Sequence, residues 1–120
     1  MHVDYVMRHL SSLRRIKQLG TPVEFVRQLS DYDETTDTYT NDRLIVVKGH
    51  AVELDGDAIE YREQNLTEKN PVTLFFIPNT IDDEPALESQ IQWANKMRTV
   101  RFVFPFRPSG YGIGAKVIAT

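Results

Sequence analysis

The chain contains no cysteine, which excludes a disulfide framework, a thiolate zinc site and a cysteine nucleophile. That absence permits a reducing compartment without establishing one. No apolar run approaches the roughly 18 residues that a membrane-spanning helix needs, and Met1-His2-Val3-Asp4 lacks the pattern of a secretory leader. Positive charge is not in excess either. The net charge is −3 and the isoelectric point about 5.6, which argues against a dedicated reader of duplex DNA. Internal repeats and low-complexity linkers are missing as well. What remains is a 120-residue chain, 41% hydrophobic and 26% charged, long enough to bury about two-thirds of its unfolded surface in one core. The expectation is one soluble domain over residues 1–120, made inside the cell, with no membrane association.

Chemistry-bearing patterns are equally sparse. His2, His9 and His50 are too far apart for a local metal motif, and His2 and His9 lie two helical turns from each other. Asp31-x-Asp33-x-Thr35 resembles the start of a calcium loop, but Thr36 stands where the loop needs glycine and Asp42 where it needs a bidentate glutamate. Gly110-Tyr111-Gly112-Ile113-Gly114 has no following helix to cradle a phosphate. No serine sits in a nucleophile-elbow context, and the acids at 82–84 have no evident histidine or lysine partner. These readings predict no enzyme, no metal and no cofactor.

Charge is segregated along the chain. Arg8, Arg14, Arg15 and Lys17 face only Asp4 in the first 20 residues. Residues 31–42 hold five acids and no base, and residues 53–69 hold six acids, Glu68 among them, against Arg62 and Lys69. Lys96, Arg98, Arg101, Arg107 and Lys116 meet no acid between 96 and 116. Such separation suits contacts between unlike faces of neighbouring subunits or an acidic wall; the plain alternative is charge on exposed strands and loops.

Periodicity predicts a helix over residues 1–20, with Val3, Val6, Met7, Leu10, Leu13 and Ile16 on one stripe and Gly20-Thr21-Pro22 as its stop, Gly20 being able to turn left-handed. Residues 21–120 read as strands. Val23 and Phe25 alternate with polar neighbours, and 30–42 reads as a polar hairpin tip. Residues 43–54 are apolar on both parities, which predicts burial on both faces or a face-switching bulge at Gly49. Asp55-Gly56 signals a turn, with Ile59 and Tyr61 as a weak continuation, and 72–77 is a strand. Residues 86–93 open either a helical turn or, at Ile91 and Trp93, a strand that turns at Ala94-Asn95-Lys96. Val100, Phe102 and Phe104 share a parity and read as core-facing, which weighs against their stacking on nucleic-acid bases. Pro105, Pro108 and Gly110 make a firm break before a last strand predicted over Tyr111 to Ala119. The fold class predicted is mainly β: a small β-barrel or sandwich of six to seven strands with an N-terminal α-helix.

Four stretches carry a resemblance, three of them in the first half of the chain. These three are Thr21-Pro-Val-Glu-Phe-Val-Arg, Tyr32-Asp-Glu-Thr-Thr-Asp-Thr-Tyr-Thr and Ile45-Val-Val-Lys-Gly-His-Ala-Val-Glu-Leu54. Together they look like the opening of the small head-closure proteins of tailed bacteriophages, also called stopper or head–tail connector proteins. Trp93-Ala-Asn-Lys-Met-Arg-Thr-Val-Arg-Phe-Val-Phe-Pro-Phe-Arg-Pro-Ser-Gly resembles that family's closing hairpin and its proline-glycine corner. Residues 55–90 depart from the pattern, with the acidic stretch 78–90 in place of the usual lead into the closing hairpin.

The resemblance implies a β-barrel protomer in a homo-oligomeric ring at the head–tail junction of a virion assembled in the host cytoplasm. The ring would lie between the portal or adaptor protein and the tail terminator or tail tube protein, joining head to tail and retaining packaged double-stranded DNA. Arg8, Arg15, Arg98 and Arg107 are then candidate subunit-interface residues, and Asp55, Asp57 and Glu60 a candidate channel-facing loop that repels phosphates. A tail-completion or adaptor role in the same neck is an alternative. A small β-barrel that binds single-stranded nucleic acid is another.

Overall fold

A computed structural model describes residues 3–66 and 69–120; His2 and Glu68 lie outside the described residues. Helix α1 (Val3–Leu19) leads into strands β1 (Thr21–Asp33) and β2 (Thr38–Leu54), then a short helix α2 (Ala58–Glu63). Strands β3 (Val72–Pro78), β4 (Gln90–Trp93), β5 (Lys96–Phe106) and β6 (Gly114–Ala119) complete the chain. The strands close an antiparallel barrel in the order β1-β2-β3-β6-β5-β4. Sandwich and barrel were both open from the sequence, and the barrel is the outcome. Its closing seam is thin, because β1 and β4 share only the pair Val26↔Gln90.

The interior is built on complementary volumes. Phe25 and Phe76 meet edge to face, their ring centroids 5.0 Å apart, with Leu74, Ile91, Val100 and Val117 buried around them. Small residues make room for the rings. Ala51 from β2 and Ala115 and Ala119 from β6 point inward on either side of β3. Gly49 has the tightest clearance against backbone. A Cβ there would lie 2.3 Å from the Ile77 carbonyl oxygen and 2.5 Å from the Phe76 ring.

Two bulges redirect side chains. On β2, Asn41 and Asp42 together oppose the single residue Ser30 of β1, and on β5 Arg101 is an extra residue between Val100 and Phe102. The second overturns the parity expected for β5. Val100 and Val103 face the core, whereas Phe102, Phe104 and Phe106 lie outside, with Phe104 and Phe106 exposed. No bulge occurs at Gly49, where pairing runs unbroken from Thr21↔Ala51 to Leu29↔Arg43. The predicted strand-like continuation at Ile59 and Tyr61 is instead helix α2. Of the two readings of 86–93, the strand is correct, and Ala94 and Asn95 turn the hairpin with positive φ at both positions.

Helix α1 packs outside the barrel. Leu13 and Ile16 form a second small core with Ile77, Val52 and Phe75, and buried His9 places Nε2 2.7 Å from the Pro78 carbonyl oxygen. The stripe expected from periodicity is therefore turned, since Met7 and Leu10 face solvent. Gly20 ends the helix, its N–H donating to the Ile16 carbonyl at 2.6 Å. It does so without the left-handed φ expected of it; its value is space, because a Cβ would sit 2.8 Å from the Ala51 carbonyl oxygen.

The radius of gyration, 16.0 Å, exceeds the roughly 14 Å expected of a compact chain of this length. The excess is an arm. The β1–β2 ladder does not stop at the barrel but continues to Asp33↔Thr38, so the polar tip expected over 30–42 is mostly paired strand with a turn only at 34–37. From Val26 to Asp33 this ribbon extends roughly 20 Å beyond the last barrel pair.

Gly49→Ala is expected to destabilise the fold severely, because backbone and not a flexible side chain obstructs the new methyl. Phe76→Ala should cost about 3–5 kcal/mol through the cavity it leaves. Urea unfolding followed by tryptophan fluorescence measures both, and a loss below about 1 kcal/mol for either would refute this account of the interior.

Candidate functional site

The charges that are segregated in sequence meet across the fold. Lys116 on β6 reaches Glu60 of α2 at 3.0 Å, 56 residues away. Arg101 contacts Glu88 at 3.5 Å and donates from Nε to the Thr120 hydroxyl. Arg107 forks onto Glu84, with Nε 2.5 Å from Oε1 and a second nitrogen on Oε2. Those hydrogen bonds, and then the carboxylate's charge, hold the Arg107 guanidinium above its ordinary range. Asp82 secures the same corner: its carboxylate accepts from the Gly112 N–H, and its own N–H donates to the Gly112 carbonyl at 2.8 Å. The acids at 82–84 thus have partners that sequence reading did not find, an arginine 23 residues on and a backbone amide.

These pairings separate the four candidate interface arginines into two sets. Arg98 donates to the Asn70 carbonyl at 2.7 Å and Arg107 is held by Glu84, so both serve their own chain. Arg8 and Arg15 stay on the exposed side of α1, Arg8 lying 5.6 Å from the Tyr5 ring centre. They line one groove of about 420 Å³ between α1 and the 106–113 corner, with Met7, Phe106 and Ile113.

The candidate channel-facing acids also have local tasks. Asp57 caps α2, accepting from the N–H groups of Ile59 and Glu60 at 2.9 and 3.1 Å. Glu60 bridges to Lys116, and Tyr61 ties the same helix to Thr73 through hydroxyls 2.5 Å apart. Asp55 alone of the three is exposed with no hydrogen bond or ion pair among the described residues.

The arm is the feature that sequence reading placed wrongly. Leu44, Ile45 and Val46 are 66%, 43% and 41% exposed, not buried on both faces. Their pairing with Gln28, Arg27 and Val26 sets Leu44 and Val46 on one face and Ile45 on the other. At the tip, the Tyr32 and Tyr39 rings meet at a 50° tilt with centroids 5.1 Å apart, Asp33 accepts from the Thr35 N–H and hydroxyl, and Asp31 accepts from Asn41 and Arg43. The hydrogen bond from Asn41, then that from Arg43 with its charge, lowers the Asp31 pKa. The Thr35 hydroxyl and then its N–H lower that of Asp33, while donation to Asp37 raises that of Tyr32.

A groove of about 800 Å³ opens where β1 and β4 diverge, lined in part by Glu24, Lys48, His50, Asn79 and Gln92. His50 Nδ1 is buried there without a partner among the described residues, and Lys48 contacts Glu24 at 3.6 Å. The groove sets no nucleophile beside a base. Among the described residues, no three histidine, aspartate or glutamate side chains are grouped to hold a metal ion, and no helix is long and apolar enough to cross a membrane.

The fold therefore defines a closed six-stranded antiparallel barrel with an outer helix and a projecting ribbon. No family model, curated protein or solved structure matches the chain.

Arg107→Glu should lower the thermal midpoint by several degrees by setting a carboxylate against Glu84, and adding Glu84→Arg should recover part of the loss; equal midpoints for both variants and wild type would show that the fork carries no stability. Lowered carboxyl pKa values contribute stability that is complete above the ordinary value of 3.8 and lost as pH falls through the depressed ones. The raised Tyr32 contributes below its ordinary value of 10.0 and loses its contribution as pH rises through the elevated one. Amide spectra recorded against pH should therefore show the arm tip loosening at acid and alkaline extremes before the barrel does. Simultaneous loss of both would contradict it.

Proposed function

We propose that this protein is a structural component of the neck of a tailed bacteriophage, a ring-forming head-closure protein that joins head to tail and retains packaged DNA. The observation that carries the reading is the arm: a barrel made to act alone has no reason to keep Leu44, Ile45 and Val46 in water at the base of a ribbon roughly 20 Å long. The resemblance supports the same reading. The stretch at 32–40 falls at the tip of the β1–β2 hairpin, and the stretch at 93–110 covers the β4–β5 turn, β5 and the corner before β6. Of the four candidate interface arginines, Arg8 and Arg15 are exposed with no ion-pair partner among the described residues, and the 55–60 segment is the proposed channel-facing patch, with Asp55 its member without a local task. Partners in this reading are further copies of the chain, a portal or adaptor protein and a tail terminator or tail tube protein. A tail-completion or adaptor role in the same neck uses the same surfaces. The role is structural in every case, without cofactor or catalysis.

A second reading has one observation in its favour. The bulge at Arg101 turns Phe102, Phe104 and Phe106 outward, and Lys116 Nζ lies 4.6 Å from the Phe104 ring centre, as in surfaces that stack single-stranded bases. Glu60 and Glu84 neutralise the neighbouring Lys116 and Arg107, which leaves little attraction for phosphates. The neck reading is the stronger.

Electron microscopy of a lysate with this gene disrupted should show free tails beside DNA-depleted heads, restored to joined particles when the gene is supplied in trans. Normal particles without the gene would overturn the proposal. In that event, salt-sensitive binding of single strands that Phe102→Ala and Phe104→Ala abolish would establish the second reading. For the channel patch, Asp55→Asn leaves the α2 cap and the Lys116 bridge in place and should alter DNA retention or ejection; unchanged ejection would remove Asp55 from the channel.

A further inference from the structure

We infer that the β1–β2 arm of one copy seats on α1 and the adjoining groove of the next copy, joining subunits head to tail. The inference rests on the ring reading above and names the surfaces that build the ring.

Internal pairing leaves two charge clusters over. Asp31, Asp33, Glu34, Asp37 and Asp42 crowd the outer arm, where Arg43 is the one base between 31 and 43 and Arg27 lies at the arm's root; Arg14, Arg15 and Lys17 stand exposed on α1 with no ion-pair partner among the described residues. Each cluster lies beside apolar surface. The arm exposes Leu44, Ile45 and Val46. Next to Arg15, a groove of about 240 Å³ runs between Ile16 and Leu19 of α1 and Val52 and Phe75 of the barrel wall. Acid with aliphatic on one side and base with aliphatic on the other are complementary in both respects.

The alternatives that the fold offers are weaker. Two arms pairing edge to edge would bring carboxylates against carboxylates over the whole tip. Because the ladder carries the arm beyond its own barrel, its acidic end makes no ion pair with its own α1 among the described residues. A contact between two different surfaces of identical chains is heterologous, and it closes into a ring or continues as a filament.

Two charge-reversed full-length proteins test the contact. One carries Asp31→Lys, Glu34→Lys and Asp42→Lys; the other carries Arg14→Glu, Arg15→Glu and Lys17→Glu. Wild type should assemble in low salt by sedimentation velocity and dissociate as salt is raised. Each variant alone should associate at least about tenfold more weakly, because like charges then face each other, and an equal mixture should regain assembly because both contacts are again of opposite sign. Recovery in the mixture also shows that both variants are folded. A variant that assembles like wild type, a mixture that stays monomeric, or a wild type that is monomeric throughout would each overturn the inference. Loss of the arm contact with neck defects intact in the disrupted lysate leaves the head–tail reading standing. Normal particles in that lysate remove the head–tail reading whatever the sedimentation result.

Discussion

The structure depends on one fit between large and small: Phe76, with Phe25 across from it, fills a barrel whose neighbouring strands contribute Gly49, Ala51, Ala115 and Ala119. A small barrel has room for few large side chains, so the wall must be thin where the rings lie. Gly49 and Ala51 keep β2 close to β3, and Ala115 and Ala119 keep β6 close on the other side. Ile77 and Phe75, on the outward parity of the same strand, then seat Leu13 and Ile16 of α1. The register of β3 therefore positions both the interior and the helix. A slip by one residue would exchange the two sets.

Charge works at a second level, after the chain is closed. Glu60–Lys116, Glu84–Arg107 and Glu88–Arg101 join predominantly acidic segments to a basic one. Exposed ion pairs of this kind add little stability singly. The two on the acidic segments act as locators: Glu60 places α2 on β6, and Glu84 holds the loop before β4 against the corner before β6. What they leave over, the acidic arm and the basic helix, are the two surfaces that the proposed ring contact uses.

The arm and the outer face of β5 show where local pattern misleads. Residues apolar on both parities, as over 43–54, are equally compatible with a strand buried on two faces and with a ribbon that stands clear of the core. Alternation in Val100, Phe102 and Phe104 gives a core face only if no residue is inserted, and Arg101 is inserted. Arg107 is similar. Nothing beside it in sequence foretells Glu84, because the loop that carries the acid meets the corner only when β4 and β6 take their places on either side of β5.

By itself the sequence determined the helix over 3–19, the β character of most of the remaining chain and the break at 105–110, because spacing, turn residues and proline act over a few neighbours; the turn at 94–95 is one of two readings it leaves open. It determined, too, that Val23 and Phe25 face one way and that charges cluster by segment. Only the tertiary structure decided which face of α1 is buried, that 58–63 is helical, where the bulges fall, and which arginines remain without an ion-pair partner among the described residues. Each of those depends on groups brought together from distant parts of the chain. Asp57 capping α2 is local, but Tyr61 on Thr73 and Glu60 on Lys116 hold that helix to the barrel, and those partners exist only once the barrel has closed.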